Sequence, residues 1–202
     1  MKKTILFIVF ILLSFICWSQ NGYRDFTWGM TIDQVKEIVL KQNTNYPSFS
    51  EIGNEITGIG INSHFAIIHY LDITTNNSLF NRFHGISGTW YVGNITENEY
   101  GRFYFHNGRL TTVIVLGYTG GIQALNTRYG NGRKIDFRAF SLNGTPATIW
   151  LENRQRYIVF FKNLNFPEDC VAFVDANWIN NIYNDFLRET NERDRQSREL
   201  LD

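Results

Sequence analysis

The chain reads as an α+β protein, mainly antiparallel β-sheet, with an N-terminal helix, a short middle helix and a long C-terminal helix. Three observations predict it. Alternating apolar runs joined by Asn-Gly pairs fill the middle of the 202 residues, and apolar stripes at helical spacing lie towards both ends. Aromatic residues make up 16% of the chain and only 3 prolines occur, the composition of an ordered sheet core rather than a disordered segment.

The first residues read as an export signal. Lys2 and Lys3 precede an apolar run from Ile5 to Ile16, and the small Ser19 follows it. That pattern predicts a signal peptide over 1–19, cleaved between Ser19 and Gln20. The run is shorter than the roughly 20 apolar residues of a membrane anchor, so no membrane span is expected in the mature chain. A lipid anchor at Cys17 is not expected, because Ile16 stands where lipoprotein signals carry a small residue. What remains, 20–202, has the length of a single domain. Its seventeen basic and nineteen acidic side chains leave a net charge of −2, which favours neither nucleic acid nor an anionic membrane as partner. Cys170 is then the lone thiol, and the apolar Val171–Val174 after it predicts burial as a small hydrophobe.

Taken in order, Phe26, Trp28 and Met30 alternate with polar or small residues as an extended lead-in. Thr31 and Gln34 then form a capping box, with Met30 and Val35 spaced as a hydrophobic staple and Val35, Ile38 and Val39 on one face. Long polar connections are expected over Thr44–Ser63 and Asp72–Gly85. They flank a strand over His64–Leu71 and precede another over Ile86–Val92.

The strongest tertiary signal is Asn107-Gly108 between two alternating strands, a type I′ hairpin. A two-residue turn pairs Phe105 with Leu110 and Phe103 with Thr112, which would place Phe103, Phe105, Leu110, Ile114 and Leu116 on one buried face. Gly120-Gly121 opens a short helix with Ile122, Leu125 and Tyr129 inward and Gly130 as its C-terminal stop. Strands follow over Ile135–Leu142, Thr145–Glu152 and Arg156–Lys162. A three-residue turn at Asn143-Gly144 would set Phe137 and Ala139 against Leu151 and Ile149. A short strand, Cys170–Val174, leads into the last helix, whose stripe of Trp178, Ile179, Ile182, Tyr183, Phe186 and Leu187 ends at a polar tail, 188–202. The tail carries opposite charges four apart at Arg188/Glu192, Glu189/Arg193, Asp194/Arg198 and Arg195/Glu199. The element order allows a duplicated helix-plus-strands unit, although no residue-level repeat accompanies it.

The segment Phe26-Thr27-Trp28-Gly29-Met30-Thr31-Ile32-Asp33-Gln34-Val35 resembles the Gly-Met-Thr-x-x-Gln-Val opening of the SmpA/OmlA (BamE-like) outer-membrane lipoproteins. It is also similar to the Trp-Gly-Met-Ser/Thr opening of other exported bacterial proteins. The resemblance implies a helix-plus-antiparallel-sheet module of the bacterial envelope that binds protein partners and has no catalytic activity.

No motif for catalysis, cofactor or metal emerges. His64 and His69, an odd number apart in the expected strand, point to opposite faces, while His84 and His106 fall in a loop and at a hairpin tip. Gly85-Ile86-Ser87-Gly88 misses the nucleophile-elbow spacing, and Gly58-Ile59-Gly60 and Gly130-Asn131-Gly132 read as turns. Glu97 with Glu99, or Glu168 with Asp169, read as solvated loop charge. The function expected is therefore a non-catalytic protein-binding or adaptor module, exported to the periplasm or outside the cell, with another envelope protein as partner. A secreted hydrolase with a loop-assembled site around His84 and an apolar-ligand carrier are the alternatives. Leu79, Phe80 and Phe83, beside Arg82 in the second polar connection, are the candidate partner-binding residues, because large apolar side chains with an arginine anchor interfaces.

Overall fold

In the computed structural model, residues 21–42, 48–53, 58–71, 88–135, 146–162 and 169–199 are described. The extended lead-in is a minimal hairpin, β1 (Gly22–Tyr23) and β2 (Phe26–Thr27), turned by Arg24 in the left-handed region at φ 54°. Phe26 and Trp28 press inward as their alternation predicts. Gly29 N–H donates to Leu110 O and Leu110 N–H to Met30 O, both at 2.9 Å, so the lead-in is pinned before the first helix begins.

That helix, α1 (Ile32–Gln42), starts from the predicted capping box. Thr31 N–H donates to Gln34 Oε1 at 2.9 Å, and Gln34 N–H donates back to Thr31 Oγ1 at 3.3 Å. Val35 and Val39 are fully buried. The chain continues through β3 (Phe49–Gly53), α2 (Gly58–Leu71), β4 (Gly88–Thr96), β5 (Glu99–His106), β6 (Arg109–Leu116), α3 (Gly121–Tyr129), β7 (Arg133–Ile135), β8 (Ala147–Glu152), β9 (Arg156–Lys162), β10 (Asp169–Asp175) and α4 (Ala176–Glu199). Asp175 Oδ1 accepts the Asn177 N–H at 2.9 Å and caps α4 as it leaves the sheet.

Eight strands form one sheet in the order β3-β4-β5-β6-β10-β9-β8-β7, and each neighbouring pair is antiparallel. The order reads alike from both edges. Each half is a helix followed by a four-strand meander, and the two meanders meet where β6 pairs β10. A two-fold axis normal to the sheet would relate them, since it reverses strand direction while keeping α1 and α3 on the same face. The insertion of α2 between β3 and β4 breaks the correspondence.

Helices cover both faces. Against one lie α2 and α4, with Ile67, Trp90, Ile114, Ile149 and Ile179 in that core. Against the other lie α1, α3 and the β1–β2 hairpin, with Phe26, Val35, Phe103, Val113 and Ile158. A sheet buried on both sides carries apolar residues at successive positions, so alternation alone leaves its phase open.

Four expectations are corrected by this architecture. His64–Leu71 is the second half of α2, not a strand: Ala66, Ile67 and Ile68 are consecutive and all buried, and a helix sunk this deeply has no polar face to reveal its period. Gly58 and Gly60 accordingly open a helix rather than a turn. The Asn107-Gly108 turn has both residues at positive φ, 51° and 70°, and pairs Phe105 with Leu110 as predicted. Thr111 is then an extra residue, a bulge after which Phe103 pairs with Val113 rather than Thr112. Val113 and Val115 take the face of Phe103, while Ile114 and Leu116 turn to the opposite core. Finally, the partner of Ile149 in the β7–β8 ladder is Arg133 rather than the expected Ala139, and Ile135 lies opposite Ala147. Phe137, Ala139 and the Asn143-Gly144 turn itself lie outside the described residues.

Two elements sit inside the segment read as the first polar connection, β3 and the first half of α2, and β4 runs past the expected end at Val92 to Thr96. On α4, the stripe buries Ile179 and Phe186, and residues 188–199 are polar. Arg195 pairs with Glu199 at 2.7 Å as the spacing predicts, whereas Arg188 reaches back to Asp185 at 3.0 Å rather than forward to Glu192. Among the described residues no helix is long and apolar enough to cross a membrane.

Candidate functional site

On the α1/α3 face, a cavity of about 330 Å³ opens between the β1–β2 hairpin, α3 and the ends of β9 and β10. Its walls are Tyr23, Tyr118, Tyr129, Phe173 and Leu125, and its charges are Arg24, Arg128, Arg156 and Glu99. The volume is at the small end of ligand pockets, which run from about 300 to 1,000 Å³.

Strand alternation places Arg156 in phase with the buried Ile158 and Phe160, so the guanidinium enters the interior and is only 4% exposed. It donates to the carbonyl of Gly22 and to the Glu152 carboxylate, and its carbon lies 5.3 Å from the centre of the Phe173 ring. Among the described residues Nε–H meets no acceptor, so these satisfy the buried cation only in part. Tyr23 stacks on the same Phe173 ring at 4.0 Å. The hairpin turn holds Arg24 beside it: Arg24 Nε donates to Tyr23 Oη at 3.1 Å, and Nη2 lies 2.9 Å from a Glu99 oxygen.

From the last turn of α3, Arg128 lies over the Tyr129 ring at 5.2 Å. Among the described residues it has no carboxylate partner. Gly130, at φ 78°, donates its N–H to Asn126 O, and its own carbonyl accepts from Trp150 Nε1 at 2.7 Å, which fixes the end of the helix that carries Arg128. Burial pushes the Tyr23 and Tyr129 hydroxyls up from their ordinary value, so both remain neutral donors over the physiological range.

The residue types decide what this pocket can do. Among the described residues the lining has one carboxylate, which is ion-paired, and no histidine, cysteine or serine, so it presents cations and hydroxyl donors over aromatic surface. Elsewhere, His64 is buried against Trp90, Tyr104 and Trp178 and shares a 2.8 Å hydrogen bond with Thr112 Oγ1. His69, five residues on in the same helix, is turned away by about 140°. Among the described residues no group of three His, Cys, Asp or Glu side chains could hold a metal ion. Cys170 is buried in β10, and Gly130-Asn131-Gly132 is the link from α3 to β7. Glu97 is exposed at the β4–β5 turn as expected, whereas Glu99 is not solvated loop charge: it opens β5, pairs with Arg24 and lines the pocket.

The candidate patch of Leu79, Phe80, Arg82 and Phe83 lies outside the described residues, as do His84, Cys17 and the Ser19–Gln20 junction. The pocket was missed from sequence because its walls come from both ends and the middle of the chain. One signal was present: an arginine in phase with Ile158 and Phe160 in a strand. A comparison with family models, curated proteins and solved structures finds no match for this chain.

Proposed function

We propose that this protein is an exported module of the bacterial cell envelope that acts by binding rather than by catalysis, and that the Arg–Tyr pocket is where it binds. The single observation behind this reading is an aromatic cavity in which, among the described residues, a buried arginine is only partly satisfied, Arg128 has no carboxylate partner and no histidine, cysteine or serine lines the wall. The leader-like 1–19 segment and the SmpA/OmlA-like opening at Phe26–Val35 support placement in the envelope. They also favour a protein partner beside a small ligand.

Two measurements test the reading. Intact mass of protein recovered from the host envelope should begin at Gln20; a retained leader or a lipid adduct on Cys17 would contradict export by this route. A mixture of small acids, esters and glycosides should give saturation-transfer NMR signals that persist unchanged over a day. Steady conversion of any member would replace binding with catalysis.

A further inference from the structure

Resting on the pocket being the binding site, the charge balance narrows the ligand. Arg24 is matched by Glu99 and Arg156 by Glu152, which leaves Arg128 as the uncompensated cation among the described residues of the site. A net charge near +1 suits a monoanion better than a phosphate monoester carrying about two charges. The cavity, about 330 Å³, admits a ring-sized body. Tyr118 and Tyr129 supply ring surface beside the stacked Tyr23–Phe173 pair, and the neutral hydroxyls of Tyr23 and Tyr129 complete the polar contacts. Arginine is also the side chain whose planar fork matches a carboxylate.

We infer that the pocket takes a small ring-bearing carboxylate, its ring among the tyrosines and its carboxylate on Arg128. The electrostatic origin of this preference makes it tunable in both directions. Removing the Arg128 charge should abolish discrimination for an anion, whereas removing the Glu99 charge should increase it.

The test uses the purified protein at low ionic strength with benzoate, its neutral isostere benzamide, and benzylammonium, followed by NMR. Benzoate should shift Tyr118 and Tyr129 resonances and bind about tenfold more tightly than benzamide, the increment expected for one charge-assisted contact of about 1.4 kcal/mol. Arg128→Gln, at an exposed helix position, should bring the two within about twofold, and Glu99→Gln should widen the gap. Benzamide or benzylammonium binding in the pocket as tightly as benzoate would overturn the carboxylate assignment and leave the binding site standing. Shifts mapping away from the pocket, or none at all, would overturn both.

Discussion

Arg156 donates to the carbonyl of Gly22 across 134 residues of chain, tying the head of β9 to the first hairpin. The same guanidinium holds Glu152 across the β8–β9 turn and lies over Phe173. One buried cation therefore builds the floor of the pocket and anchors the chain's first described element.

Replacing it leaves a buried carbonyl and a half-buried carboxylate without their donor. Arg156→Met should cost about 3 kcal/mol, the range for breaking a buried pair by removing one partner. Denaturant unfolding measures it, and a loss under about 1 kcal/mol would show that the contact is not made in solution.

Thr31 and Gln34 satisfy two helix-end N–H groups reciprocally, so each is expected to matter alone. Thr31→Ala should destabilise by about 1 kcal/mol. An unchanged denaturation midpoint would mean that the cap is open.

Stability should also fall in mild acid because of His64. Burial drives its imidazole down to about 3, against 6.5 for an exposed histidine. Above pH 6.5 both folded and unfolded states carry it neutral, and no penalty arises. As pH falls below that value the unfolded state takes up the proton first, so stability is lost progressively until the folded pKa is reached. Between pH 7 and 5 the loss is about 2 kcal/mol. His64→Gln, which keeps a polar partner for Thr112, should remove that part of the slope; parallel pH profiles for the two proteins would show that His64 is not buried as described.

What was legible in the sequence was local chemistry. The capping box, the Asn107-Gly108 turn, the strand Arg156–Lys162 and the apolar stripe of α4 are each specified within a few neighbouring residues. What was not legible depended on burial from both sides. The second half of α2 shows no period because helix α2 faces the core broadly. The bulge at Thr111 escaped because Val113, Ile114, Val115 and Leu116 satisfy either phase of a sheet with two covered faces. The pocket is least local of all, since Tyr23 meets Phe173 only after both meanders are complete.

The central claim, that this protein binds through the Arg–Tyr pocket, is tested most directly by mapping resonance shifts from a fragment set of acidic, neutral and basic members. Perturbations are predicted to converge on Tyr23, Tyr118, Arg128, Tyr129 and Phe173, and to weaken in Tyr118→Ala without loss of fold. Convergence on any other surface, with these residues silent, would contradict it.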